Sequence, residues 1–173
     1  MEKINLKEYI RDIPDFPKKG ILFKDITPLL KNKEAFQSMV DAFVDIYKGK
    51  KIDSVVAVEA RGFILGSVVA YKLGVGLIPV RKKGKLPAKT RSITYDLEYG
   101  TDTLEMHQDA IKPGDRILVI DDVLATGGTI KAVTDLIKEL EGEIIGVAFL
   151  MELSFLKGKE KLKGLPIQSL IVY

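Results

Sequence analysis

The chain has no cysteine and no tryptophan among its 173 residues. Without cysteine there is no disulfide, zinc finger, iron–sulfur cluster or thiol nucleophile. A single histidine, His107, cannot build a multi-histidine metal site, and no Ser-His-Asp triad can form away from it. Long apolar runs are missing as well. The longest nearly pure one, Ile144–Met151, is eight residues with a glycine inside, against the ~20 that a membrane-spanning helix needs. Lys3, Lys7, Glu8, Arg11 and Asp12 interrupt any early apolar stretch, so no secretory signal is expected. The net charge is only +3, from 27 basic and 24 acidic residues, too small to point to nucleic acid.

What is present describes a folded domain. Hydrophobic residues make up 46% and charged residues 29%, too apolar for a disordered chain. The length suits one domain that buries roughly 70% of the unfolded chain's surface. There is no internal repeat, low-complexity tract or shift in composition, so residues 1–173 read as a single domain. A cytoplasmic protein acting on a small molecule is the expectation.

Strand-like apolar runs alternate with helical patterns, which predicts an α/β fold with a largely parallel sheet. A short helix is expected over 3–12, then irregular chain over 14–30, broken by Pro14, Pro17, Gly20 and Pro28. Phe36, Met39, Val40, Phe43, Val44 and Tyr47 recur at helical spacing. The apolar runs Ser54–Val58 and Ile117–Ile120 read as strands buried on both faces, and Leu77–Val80 and Glu143–Met151 as further strands. Between them, helices are expected over Phe63–Leu73 and 129–140, and an antiparallel pair over Ile93–Glu98 and Thr103–His107. A short helix near 155–162 and a strand near 167–172 complete the pattern.

The most informative segment is Ile117–Thr129. An apolar strand leads into Asp121 and Asp122, then a loop of small residues, then a helix. Ligands of open α/β sheets bind beyond the carboxyl ends of strands. A helix start offers unpaired N–H groups and a positive dipole end to an anion such as phosphate. Gly127 and Gly128 let the backbone approach it, and Thr126 and Thr129 add hydroxyl donors. Two carboxylates repel phosphate but accept hydrogen bonds from sugar hydroxyls. A phosphorylated sugar gripped at both ends satisfies both halves; a capped turn with solvated acids is the plainer alternative. No lysine follows these glycines, and Gly74-Val75-Gly76 does not continue as G-x-G-x-x-G, so neither nucleotide-loop pattern is present.

Behind its four apolar residues, Asp121–Thr129 resembles the phosphoribosyl-diphosphate (PRPP) motif of type I phosphoribosyltransferases. Further segments resemble the adenine-using members of that family, in order along nearly the whole chain. Glu59-Ala60-Arg61-Gly62-Phe63 is similar to their pyrophosphate loop. Asp15-Phe16-Pro17 and Gly20–Pro28 are similar to the N-terminal base-binding hood. Arg81–Pro87 and Tyr95–Gly100 are similar to the mobile catalytic loop, and Glu152-Leu153 with Leu156-Lys157-Gly158 to the C-terminal segment.

The resemblance implies a mostly parallel central sheet flanked by helices, a hood over about residues 1–30 on a core of 31–173, and a mobile loop with antiparallel strands. It implies transfer of 5-phosphoribosyl from PRPP to adenine, giving AMP and pyrophosphate, by a homodimer without nucleic-acid or membrane partners. Asp121 and Asp122 would accept the ribose hydroxyls, and Ala125, Thr126, Gly127, Gly128 and Thr129 would cradle the 5′-phosphate. Glu59, Ala60, Arg61, Arg81, Lys82 and Lys85 would face pyrophosphate, with a cis peptide somewhere in Glu59–Arg61. Glu98 would hold or move a proton on the purine, and Tyr99 would orient the substrate or close over it. Leu22 and Lys24 would read adenine through their backbones beside Phe23. Mg²⁺ is the implied cofactor, held mainly by PRPP and water with no direct protein ligand. Oxopurine enzymes of this fold commonly carry a lysine on a late strand; Ile144–Met151 has none. A xanthine or hypoxanthine enzyme, and a PRPP-sensing regulator of the same fold, remain alternatives. His107 is read as structural or solvated.

Overall fold

The computed structural model describes residues 4–96 and 100–173. The chain divides into two units, Met1–Ile46 and Tyr47–Tyr173.

In the first unit, the helix expected over 3–12 is reduced to a 3-10 turn, Leu6–Tyr9, capped by the Asn5 side chain. Strand β1 (Arg11–Pro14) then pairs antiparallel with β2 (Leu22–Asp25), where irregular chain was expected. The prolines misled because each sits where a missing N–H does no harm. Pro14 ends its strand, Pro17 follows a cis bond in the connecting loop, and Pro28 lies in the first turn of α1 (Thr27–Lys31). Ion pairs across the ladder add to the pairing: Arg11 with Asp25 and Lys24 with Asp12, both at 2.6 Å. Helix α2 (Lys33–Tyr47) begins where Asn32 Oδ1 accepts the Ala35 N–H at 2.8 Å. It buries Met39, Val40 and Phe43 of the expected apolar face.

The second unit is built on a seven-stranded sheet. Its strands are β3 (Ser54–Val58), β4 (Gly76–Lys82), β5 (Thr90–Asp96), β6 (Thr101–His107), β7 (Arg116–Leu124), β8 (Glu143–Glu152) and β9 (Ile167–Val172). The order is β5-β6-β4-β3-β7-β8-β9. Strands β4, β3, β7, β8 and β9 run parallel, and the β5–β6 hairpin adds antiparallel at one edge. Helix α3 (Arg61–Leu73) connects β3 to β4, and α4 (Gly128–Glu139) connects β7 to β8.

The two helices cover opposite faces of the sheet. Gly66 of α3 lies directly on Ala57 and Val55. Val56, Val58, Ile117 and Val119 instead share a core with Ile130, Val133 and Ile137 of α4. Covering on both faces explains why these strands read as continuous apolar runs rather than alternating ones. In place of the helix expected near 155–162 there are two 3-10 turns, Ser154–Leu156 and Gly158–Leu162.

Candidate active site

Strand β7 does not stop at its carboxylates. It continues through Asp121 and Asp122 to Leu124, paired with β8 as far as Glu152. Its pairing on the other side ends earlier, at Ala57–Ile120. Beyond that point β3 turns away through Glu59–Arg61 while β7 and β8 run on together. A cleft of about 240 Å³ opens at this divergence, lined by Glu59–Arg61, Asp121–Asp122 and the loop Leu124–Ile130. The expectation that the strand ended at the acid pair is thus corrected: both aspartates are strand residues, fixed by the ladder with β8.

Arg61 joins the two walls. Its Nε lies 2.9 Å from Asp122 Oδ2, and Asp122 is 4% exposed. The Asp122 N–H donates to Asp121 Oδ1 at 2.9 Å. Burial, and then the neighbouring Asp122 charge, push the Asp121 carboxyl well above the usual carboxylate range. Burial raises Asp122 too, against the pull of Arg61. Gly62 is what allows this approach: a Cβ there would sit 2.7 Å from Asp121 Oδ1 and 3.3 Å from the Ile120 carbonyl.

The loop Ala125–Thr129 leads into α4 at Gly127, whose φ of +80° is left-handed. That φ favours glycine. No side chain among the described residues caps the helix, and its first backbone bond is Lys131 N–H to Gly127 O. The N–H groups at the helix start therefore have no partner within it. Tyr95 and Asp96 lie beside Gly128, and Tyr95 Oη is 3.4 Å from Thr129 Oγ1.

On the other wall, the Glu59–Ala60 peptide is cis, within the range expected. Glu59 gathers the basic segment. Its carboxylate accepts the Lys82 N–H, pairs with Lys85 Nζ at 2.7 Å and lies 3.5 Å from Arg81. Burial alone would raise this carboxyl, but the Lys85 and Lys82 hydrogen bonds outweigh it and hold it below its ordinary value. Arg81 and Lys85 thus converge on Glu59. Lys82 instead turns to Asp102 on β6, 3.0 Å away, which raises the lysine's pKa.

Leu22, Phe23 and Lys24 are on β2 of the first unit. Leu22 is 49% exposed, Phe23 meets Phe16 edge-on at 5.1 Å, and the Lys24 ammonium is paired with Asp12. Glu98 and Tyr99 lie outside the described residues.

The phosphoribosyl transferase domain family matches residues 25–164. An adenine phosphoribosyltransferase of Halothermothrix orenii is 58% identical over 97% of this chain and 99% of its own length. The chain belongs to the adenine phosphoribosyltransferase family. The family's solved structures agree in fold. The adenine phosphoribosyltransferase of Thermoanaerobacter pseudethanolicus superposes with a TM-score of 0.95 at 54% identity, covering 97% of this chain and 98% of that one. That of Saccharomyces cerevisiae, complexed with an imino-altritol bisphosphate and adenine, gives 0.91 at 42% identity, covering 95% and 96%.

Sequence reasoning missed the part that Gly62 plays beside Asp121. Gly62 stood within a quoted motif, but only the packed structure brings it against Asp121.

Proposed function

We propose that the chain transfers the 5-phosphoribosyl group of PRPP to adenine in purine salvage, in the cytoplasm and as a homodimer. The observation that carries the reading is the convergence on one cleft of an acid pair, an uncapped helix start and an arginine-bearing loop. These are complementary to a sugar diol, a terminal phosphate and a diphosphate. In the reaction, N9 of adenine bonds to ribose C1, the bond from C1 to pyrophosphate breaks, and the N9 proton is released.

Asp121 and Asp122 accept the two ribose hydroxyls, and Ala125–Thr129 receive the 5′-phosphate on backbone N–H groups and hydroxyls. Arg61, Arg81 and Lys85 stabilise the departing pyrophosphate, with Lys82 joining if it exchanges Asp102 for the anion. Glu98 takes or holds the purine proton, help typically worth about 10²–10⁴-fold, and Tyr99 orients the substrate. Leu22, Phe23 and Lys24 belong to a hood over about residues 1–30 and recognise the base. Among the described residues no group of three His, Cys, Asp or Glu could cage a metal. Mg²⁺ would be carried chiefly by substrate oxygens and water. When bound, Mg²⁺ supplies positive charge to the diphosphate. No described helix is long and apolar enough to cross a membrane.

The test is pyrophosphate release from PRPP with Mg²⁺, offering adenine, hypoxanthine, guanine and xanthine separately. Release with adenine alone, reduced at least about 100-fold in Glu98→Ala, is expected. Preference for an oxopurine overturns the base assignment, and no release with any base points to a regulator. Light scattering at twice the 19.2 kDa chain mass checks the dimer.

A further inference from the structure

Against the loop Ala125–Thr129 packs the segment that follows β8. Leu153 N–H donates to the Leu124 carbonyl at 2.9 Å, one residue before the loop begins. Gly158 then meets the loop backbone directly. A Cβ on Gly158 would lie 2.2 Å from the Ala125 carbonyl oxygen and 3.1 Å from the Gly127 nitrogen. Reciprocally, a Cβ on Gly127 would lie 2.4 Å from the Gly158 oxygen. Two of the three atoms nearest to a Cβ on Gly158 are backbone and cannot swing aside; the third is Leu124 Cδ1 at 2.9 Å. Gly127 also has its left-handed φ, but Gly158 has none. The requirement for glycine at 158 is therefore purely one of space.

Glu152, the last residue of β8, fixes this segment. It is 5% exposed, accepts a hydrogen bond from Ser169 of β9 at 3.0 Å and pairs with Lys159 at 2.7 Å. Lys159 is the neighbour of Gly158, so the pair ties Gly158 to the sheet. Leu162, at the end of the same turn, is buried in the core shared with α4.

We propose that Gly158 is a positioning residue for the phosphate loop, held against it by the Glu152–Lys159 ion pair. This rests on the reading that Ala125–Thr129 receive the 5′-phosphate. The interlocked backbones set how far the loop's N–H groups stand out into the cleft. A methyl at 158 displaces the loop by about 1 Å, a misplacement that costs on the order of 100-fold in a well-oriented site. Pyrophosphate, on the opposite wall, is untouched by it.

The test measures binding of ribose 5-phosphate and of pyrophosphate, by calorimetry on the full-length protein, with steady-state kinetics alongside. Gly158→Ala is expected to weaken ribose 5-phosphate at least about 10-fold and to raise KM for PRPP similarly, within the reach of such a displacement. Pyrophosphate binding and KM for adenine should stay within about two-fold. Lys159→Met should produce a weaker form of the same split, relieved by Lys159→Arg, which keeps the result readable if Gly158→Ala does not fold. Equal loss of both ligands, or loss of neither, overturns the proposal. Wild-type protein that binds pyrophosphate but not ribose 5-phosphate overturns the site reading beneath it, a distinguishable failure.

Discussion

Asp121 combines opposite demands in one side chain. Its proposed role toward a ribose hydroxyl calls for an ionised acceptor, yet burial and Asp122 favour the protonated form. The folded protein therefore binds this proton more tightly than the unfolded chain does. The sign of the linkage follows: this contribution makes the fold more stable as pH falls through the raised pKa, and less stable as pH rises through it. Asp121→Asn removes the cost of ionisation, and Asn Oδ1 can still accept the Asp122 N–H. The expected result is a Tm at neutral pH higher by ~2–4 °C, the shift that about 1 kcal/mol gives at this size. Activity should fall at the same time, through a raised KM for PRPP. A lowered Tm would refute the assignment. Glu59 has the opposite sign. Its depressed pKa contributes stability at neutral pH that is lost as acid titrates the folded-state carboxyl.

Strand β6 shows how one element can organise a loop. Glu105 is 7% exposed and accepts the Gly84 N–H at 2.9 Å. Two residues on, His107 Nε2 lies 3.4 Å from the Ala88 nitrogen, so the histidine read as structural serves the basic segment. Alternate residues of a strand share a face, and this face supports the turn between Lys82 and Lys89. Glu105→Ala leaves the turn without its buried acceptor. Hydrogen exchange at Gly84 should accelerate, and kcat/KM for PRPP should drop roughly 10- to 150-fold, the equivalent of a hydrogen bond to a charged group of about 1.5–3 kcal/mol. Unchanged exchange at Gly84 would remove the support for this role. Much of the hairpin was legible in advance, because period-two alternation survives in it. The β1–β2 pair was not, since its prolines hide a short ladder closed by ion pairs between residues far apart in sequence.

Across the whole molecule, packing rather than chemistry decides some identities. Tyr47 is 1% exposed, and burial lifts its hydroxyl pKa to about 12. Its Oη is buried with no hydrogen-bond partner among the described residues, while its ring closes over Gly146, where a Cβ would be 2.6 Å from Cε1. Tyr47→Phe keeps the ring and removes an unsatisfied hydroxyl. Thermal or urea unfolding should find it as stable as the parent or more stable by about 1 kcal/mol. Gly146→Ala should lose about 1–3 kcal/mol by overpacking. A destabilised Tyr47→Phe would mean that the hydroxyl has a partner after all.

The sequence by itself determined the α/β alternation, the four apolar strands and the acid-pair-to-glycine segment, because each is written in consecutive or periodic residues. Asp121–Thr129 could be read from residue types alone, since strand, acids, glycines and helix start are adjacent in the chain. Tertiary structure decided the rest. Only the divergence of β3 from β7 makes a cleft of that segment. Only packing brings Gly62 to Asp121, Glu59 to Lys85 and Gly158 to Ala125, contacts between residues 26 to 59 positions apart. A carboxylate or a glycine acquires its meaning from what stands opposite it, and no local pattern encodes a neighbour supplied by another strand.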